Sequence, residues 1–163
     1  MNPTGYTIDF VIPQGPTGPT GPANGLSAYG GKYNDTPQTL NLVIGSASQI
    51  PLTNSMPNLN TTYTPANSIT VAQAGTYEIN YFSNVSAAIG TTVTQAVRVN
   101  GTNIPSTEIS RVLAVGVGST YTGSTIVTLA AGDVIDMAVS ALLAVGLTLG
   151  NGVNATLSIK KIN

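Results

Sequence analysis

The sequence predicts an all-β sandwich, and three observations support this prediction. Apolar and polar residues alternate with a period of two along several segments between residues 26 and 163. Glycine, asparagine and aspartate recur between these segments, where tight turns require them. No stretch has the period of an amphipathic helix. Many short strands separated by turn signals, without helices, are typical of a sandwich.

The strands follow one another in chain order. Alternation places these residues on inward faces: Tyr77, Ile79, Tyr81 and Val85, then Val93, Val97 and Val99, then Ile135, Met137 and Val139, and last Leu157 and Ile159. The dipeptide Asn100-Gly101 predicts a hairpin, because both central residues of the favoured turn need a positive φ. Gly132-Asp133 and residues 150–152 predict further turns.

Two segments do not alternate. Residues 142–150, LLAVGLTLG, are apolar on both faces, and residues 113–118, LAVGVG, resemble them. They are interpreted either as central core strands or as strands lying against neighbouring subunits, where small residues allow close approach. The shortage of surface charge favours the second interpretation. The candidate subunit-interface residues are Leu113, Val115, Leu142, Leu143, Val145 and Leu147.

The composition points to a protein that functions in an assembly. The chain has 163 residues, enough for one globular domain and a tail, and 42% of them are hydrophobic. Only 7% are charged, whereas an ordinary soluble domain has roughly 25%. A surface made mostly of Ser, Thr, Asn, Ala and Gly has little charge to keep copies apart.

Several functions are excluded by what the chain lacks. A net charge of −1 and five scattered basic residues argue against nucleic acid. The absence of histidine and cysteine removes nucleophilic dyads and most transition-metal sites. The close carboxylates Asp133 and Asp136 are three apart in a strand and point to opposite faces. We therefore expect no enzyme activity, no cofactor and no metal. The apolar run at residues 137–149 is too short to span a bilayer, and no signal peptide is evident.

Before the predicted head, residues 24–163, lie two further segments. Residues 15–23 have glycine at every third position, Gly15, Gly18 and Gly21, as in a collagen triple helix. Residues 1–14 form a leader that alternates like a strand and is ended by Pro13. The leader is interpreted either as a disordered terminus or as a segment that docks onto another head, as an extra strand or an apolar plug. Its candidate docking residues are Tyr6, Ile8, Phe10, Val11 and Ile12.

The segments VAQAGTYEINYFSNV, VRVNGTNIP, VTLAAGDVIDMAV and NATLSIKKI, following a collagen-like tract, resemble the C-terminal domain of BclA-type exosporium glycoproteins of spore-forming bacteria. The resemblance covers nearly all of residues 26–163. It implies a jelly roll like those of complement and tumour-necrosis-factor heads, assembled as a homotrimer on a collagen stalk. It also implies a location on the spore surface, outside the cell.

The chain departs from this family in two places. Family members carry dozens of triplets, whereas nine residues at roughly 3.1 Å each span only about 28 Å. So short a stub requires the trimeric head to hold three chains in register. Thr17 and Thr20 occupy the last position of their triplets, where the family is often O-glycosylated. The leader lacks the proline-rich character of the family's anchoring segment.

Three functions follow from this combination. In the first, leaders dock onto the head of the next trimer and build a fibre, as in BclA-like endospore appendages, with a spore-anchoring protein and a tip protein as further partners. In the second, the leader anchors isolated trimers to a different basal protein, and the head is a surface glycoprotein or adhesin. In the third, the head is a carbohydrate- or receptor-binding tip, with Tyr29, Tyr33, Tyr63 and Tyr121 available to stack on sugars.

Overall fold

A computed structural model describes residues 25–163, and Gly5 is the one position described before them. The leader and the collagen-like stub therefore lie outside the described residues. Fourteen strands follow along the chain: β1 Tyr29–Asn34, β2 Gln38–Leu42, β3 Ser48–Gln49, β4 Asn54–Ser55, β5 Thr61–Thr62, β6 Ile69–Val71, β7 Gly75–Ala87, β8 Thr91–Val99, β9 Thr102–Asn103, β10 Ile109–Leu113, β11 Ser119–Leu129, β12 Val134–Ala141, β13 Val145–Leu149 and β14 Ala155–Lys161. Within residues 25–163 the helical structure is a single 3-10 turn, Pro105–Thr107.

The strands form two packed sheets of seven strands each. In the first sheet, β7 lies between β11 and β14, and β1 and β4 follow β14 toward the edge. β13 pairs with the C-terminal end of β7, on the same side as β14, and β2 pairs with β13. The second sheet has the order β10-β8-β12-β6-β5, with β9 beside β8 and β3 beside β12. The two-sheet sandwich predicted from the sequence is confirmed.

Strand β7 shows how the alternating sequence produces the sandwich. Every second side chain from Tyr77 to Ala87 is buried between the sheets, while the residues between them are partly exposed on the outward face. Because side chains of a strand point alternately to its two faces, β7 contributes one set of side chains to the core and the other set to the outer surface. The inward positions predicted for β8, β12 and β14 also lie in or against the core.

The hairpin predicted at Asn100-Gly101 is present between β8 and β9. Both residues have positive φ, 52° and 80°, as the tight turn requires. The Asn100 side chain donates to the Asp133 carboxylate at 2.8 Å and accepts from the Val134 amide at 2.9 Å. Asp133 also accepts from the Ala130 amide at 2.8 Å. Asp133 is therefore a turn residue that ties two neighbouring loops together.

The structure corrects the interface prediction at three positions. Leu113, Val145 and Leu147 are buried in the core of the single chain, with exposed fractions of 2%, 7% and 0%. Their strands, β10 and β13, each contribute inward side chains to the sandwich. A side chain already enclosed by its own chain has almost no surface left to bury against a neighbour. These three residues belong to the core.

One ion pair crosses the second sheet on its outward face. The Arg98 guanidinium donates to both carboxylate oxygens of Asp136, at 2.7 and 2.6 Å. The two residues lie directly opposite each other on β8 and β12, and both side chains are largely shielded from solvent. The Gln49 amide donates to the same carboxylate at 2.8 Å. The hydrogen bonds to Asp136 and the charge of its carboxylate, offset in part by burial, raise the pKa of Arg98. Arg98 thus pairs within its own chain.

We predict that Asp136→Ala lowers the free energy of unfolding by about 3 kcal/mol, because it leaves a shielded guanidinium and an amide without their acceptor. Replacing both partners, by Arg98→Met with Asp136→Leu, leaves only the partly exposed Gln49 amide without its acceptor and recovers most of the lost stability. The measurement is urea unfolding followed by circular dichroism.

Glu78→Gln is the matched control, because it breaks the more exposed ion pair between Glu78 and Lys160. Its unfolding midpoint stays within experimental scatter of the wild type. Equal losses from Asp136→Ala and Glu78→Gln would contradict the structural importance given to the Arg98 pair.

Candidate assembly surfaces

The outward face of the first sheet is a broad surface with almost no charge. We call it the Phe82 face, and its outward residues come from four adjacent strands: Asn80, Phe82, Asn84 and Ser86 of β7, Thr120, Thr122 and Ser124 of β11, Thr156 and Ser158 of β14, and Tyr29 and Tyr33 of β1. Phe82 lies at its centre, directly opposite Thr122 on one side and Thr156 on the other. An aromatic ring amid hydroxyl and amide groups is a typical anchor of a protein interface.

Two shallow hollows open on this face, one beside Phe82 and one farther along, over β1 and β14. One, of about 220 Å³, is lined by Phe82, Thr122 and Thr156 among others. The other, of about 330 Å³, is lined by residues that include Tyr29, Met56 and Ser158. Both hollows are open to the outside. A complementary surface could therefore insert side chains beside the ring.

The charged groups of the Phe82 face are confined to one end. There Lys160 Nζ lies 2.9 Å from the Glu78 carboxylate. The hydrogen bonds from Lys160 and Asn80 hold the pKa of the Glu78 carboxyl below its ordinary value. A lowered folded-state pKa means that this stabilisation is present above the unfolded-state pKa and is lost as the pH falls through the folded-state value.

A second surface lies at one end of the sandwich, and we call it the distal cap. It consists of four loops, residues 43–47, 88–90, 114–118 and 142–144. The Gly116 amide donates to the Ala87 carbonyl at 2.9 Å, and the Ala88 amide donates to the Gly146 carbonyl at 3.1 Å. The Leu142 amide donates to the Thr92 carbonyl at 3.2 Å. These contacts bring the last three loops together, and the pairing of Leu42 with Val145 places residues 43–47 beside residues 142–144.

The distal cap is apolar and uncharged. More than half of the exposed large aliphatic side chains of residues 25–163 lie in its four loops, with exposed fractions between 45% and 70%: Val43, Ile44, Ile89, Val115, Val117, Leu142 and Leu143. No charged residue occurs in these loops. An open pocket of about 460 Å³ beside them is lined by Ile44, Thr92 and Leu142 among others. Contiguous apolar surface of this kind marks an interaction site.

The sequence-predicted interface residues therefore divide into two groups. Val115, Leu142 and Leu143 are exposed and belong to the distal cap, whereas the other three lie in the core. The leader residues Tyr6, Ile8, Phe10, Val11 and Ile12, the stub glycines Gly15, Gly18 and Gly21, and the candidate glycosylation residues Thr17 and Thr20 lie outside the described residues. Their roles remain predictions from the sequence.

Sequence reasoning missed Phe82 and most of the distal cap. The signal for Phe82 was available, because it is the one large apolar residue on the polar face of an otherwise alternating strand. Val43, Ile44 and Ile89 gave no such signal, since isolated aliphatic residues in loops are common. Only the fold brings them together.

Little in the described part of the chain resembles a catalytic or metal centre. Residues 25–163 contain no cluster of three acidic, histidine or cysteine side chains that could hold a metal ion. Burial lowers the pKa of Lys32, whose Nζ lies 4.9 Å from the centre of the Tyr63 ring and 3.4 Å from the Ser55 hydroxyl. Within the same residues, no helix is long and apolar enough to cross a membrane.

The four tyrosines proposed for sugar stacking do not lie together on exposed loops. Tyr121 is fully buried in β11 and donates to the Val93 carbonyl at 3.1 Å. Tyr63 donates to the Met56 carbonyl at 2.8 Å and accepts from the Gly31 amide at 3.0 Å. Tyr29 and Tyr33 lie in β1 and are partly exposed. Two of the four are thus structural.

Comparison with solved structures confirms the jelly roll of the complement and tumour-necrosis-factor type. Murine APRIL at pH 5.0 has a TM-score of 0.60 at 12% identity, covering 83% of this chain and 98% of that one. Eiger TNF from S. frugiperda has a TM-score of 0.55 at 13% identity, covering 83% and 91%. The globular domain of the zebrafish complement 1qA protein has a TM-score of 0.54 at 12% identity, covering 83% and 98%. At such low identity these likenesses establish the fold alone.

Comparison with curated proteins finds no match. The model of one protein family, the BclA C-terminal domain, matches residues 30–163. The match runs from the second residue of β1 to residue 163 and so includes every other strand of the sandwich. The chain therefore belongs to the BclA C-terminal domain family.

Proposed function

We propose that this chain is a non-enzymatic structural subunit of a spore-surface fibre. Three copies join through the Phe82 face into a homotrimer, and trimers stack head-to-tail when the leaders of one dock onto the head of the next. Membership of the BclA C-terminal domain family supports an exosporium-type, extracellular setting. The neutral centre of the Phe82 face is the observation that supports self-assembly.

The Phe82 face is suited to association between identical copies. Its hydroxyl and amide side chains can donate and accept hydrogen bonds, so that it can bind neighbouring copies around a three-fold axis without opposite charges. Phe82 and the two hollows of this face supply apolar surface whose burial favours association. Because the charges of this face are a paired carboxylate and ammonium at one end, little repulsion opposes close approach. The low charge of the whole chain, 7%, agrees with a molecule that functions assembled.

Three-fold assembly also accounts for the collagen-like stub. A triple helix needs three parallel chains in register, and three triplets are too short to achieve this alone. A trimeric head places three N-terminal segments on the same side, where the stub can wind. The stub then gathers three leaders and directs them away from the head.

Docking of these leaders onto an identical trimer produces a fibre. The contact joins unlike surfaces, so that it does not close and can repeat without limit. Three leaders act together, because the second and third docking events are intramolecular once the first has formed. If the leaders instead bind a different basal protein, the same trimers stand singly on the spore surface.

We predict that Phe82→Asp converts the trimer into single chains. The substitution brings carboxylates into a face that has no cation near its centre, and loss of an aromatic anchor weakens association by roughly 30-fold or more. The fold of the single chain is retained, because Phe82 is only partly buried within it. Light scattering coupled to size-exclusion chromatography measures the mass.

Thr102→Asp is the matched control, since it adds the same charge at an exposed strand position of the second sheet. This variant remains trimeric. A Phe82→Asp protein with the mass and stability of the wild-type trimer would show that copies associate through another surface.

We predict that deletion of residues 1–14 abolishes fibres and leaves trimers intact. The core cluster lies within residues 28–159, so that the head keeps its packing without the leader. Negative-stain microscopy of the purified wild-type chain shows thin fibres, and that of the truncated chain shows isolated particles. Fibres that survive the deletion would contradict leader docking, and a wild-type chain that gives only trimers at high concentration would favour anchoring to a basal protein.

A further inference from the structure

We propose that the distal cap is the surface that receives the leader of a subunit from the neighbouring trimer. The inference rests on the proposed function and identifies both partners of the inter-trimer contact. The occupant is the apolar face of the leader, Tyr6, Ile8, Phe10 and Ile12. The receiving groups are the aliphatic side chains of the four cap loops.

The described chain begins at the end of the head opposite the distal cap, so the leader is attached to that end. The chain reaches β1 next to the C-terminus, where the Lys161 amide donates to the Ala28 carbonyl at 2.8 Å. Strand β7 begins at this same end, since Tyr77 lies opposite Lys161, and it runs through 13 residues to Ala87 beneath the cap. At about 3.3 Å per residue, the two ends are on the order of 40 Å apart.

This separation favours a cap from another copy over the leader's own. Twelve residues lie between Ile12 and Gly25, and they could cover the length of the head only if almost fully extended along it. Wound as a triple helix, residues 15–23 instead carry the leader about 28 Å farther out. A neighbouring trimer placed below then presents its distal cap directly to the incoming leaders.

The distal cap and the leader are both apolar, so that each can bury the other's surface. The cap exposes contiguous aliphatic groups and no charge, and residues 6–12 of the leader carry a single charge, Asp9, which alternation places away from Tyr6, Ile8 and Phe10. The pocket of about 460 Å³ beside Ile44 and Leu142 is a site for an aromatic side chain of the leader. An aromatic anchor in a pocket surrounded by aliphatic contacts is the usual centre of a stable interface.

Symmetry allows all three leaders to bind at once. In a three-fold trimer the three N-terminal segments leave from one side, and the three caps lie together on the other. Each trimer therefore offers three leaders below and three caps above. The match in number makes docking of successive trimers multivalent.

The first experiment tests the cap in the full chain with Ile44→Asp and Leu142→Asp combined. Both side chains are well exposed, so that the variant keeps the melting temperature and the trimeric mass of the wild type. It forms no fibres in negative stain. The matched control combines Val153→Asp and Ile162→Asp, exposed aliphatic positions outside the cap, and forms fibres as the wild type does.

Mixing experiments test the direction of docking. The cap variant keeps its leaders, and the chain lacking residues 1–14 keeps its cap, so that the two together form pairs of trimers and nothing longer. Added to wild-type chains, either variant stops growth at one end and shortens the fibres. Sedimentation velocity detects the pairs, and microscopy measures the lengths.

The outcomes separate this inference from the proposed function. Fibres of normal length from the cap variant overturn the cap as the receptor and leave the fibre intact. A wild-type chain without fibres overturns the proposed function itself. If the double variant fails to fold, Leu143→Asp with Val117→Asp alters the cap outside the pocket and is subject to the same expectation, loss of fibres with retention of trimers.

Discussion

Separation of charge from the proposed contact surfaces is the physical constraint on which this account of the structure depends. A chain with so few ionic groups keeps two opposed pairs within itself, Arg98 with Asp136 and Glu78 with Lys160. The centre of the Phe82 face and the whole distal cap are left neutral. Neutral surfaces of identical copies do not repel one another, and burial of their apolar groups favours association. The same composition would be a liability for a protein that had to remain a monomer.

The sandwich places these two neutral surfaces differently, one on a sheet face and one at an end. Strand β7 joins the end where the described chain begins and finishes to the end where four loops expose aliphatic groups. In the proposed assembly, contact through the sheet face closes into a ring of three because the rotation between copies closes, whereas end-to-end contact between unlike surfaces remains open. In the proposed fibre a short collagen-like stub is sufficient, because it spans only the gap between successive trimers.

The sequence specified the strands better than the surfaces. Alternation located the inward residues of β7, β8, β12 and β14, and Asn100-Gly101 located a hairpin, because both signals arise from local backbone geometry. The run at residues 142–150 misled because it crosses a turn: Leu142 and Leu143 are exposed, and the strand that follows returns Val145 and Leu147 to the core. Periodicity cannot distinguish a strand buried by its own chain from one buried by a neighbour. The distal cap depends on pairings between distant strands, which no local pattern reveals.

Sedimentation equilibrium of the full chain at low concentration tests the central claim most directly. Self-association through neutral surfaces predicts a smallest species of three 16.5 kDa chains, with little change between low and high salt, because no interfacial ion pairs are there to be screened. A stable species of one chain at concentrations where the fold is intact would contradict it.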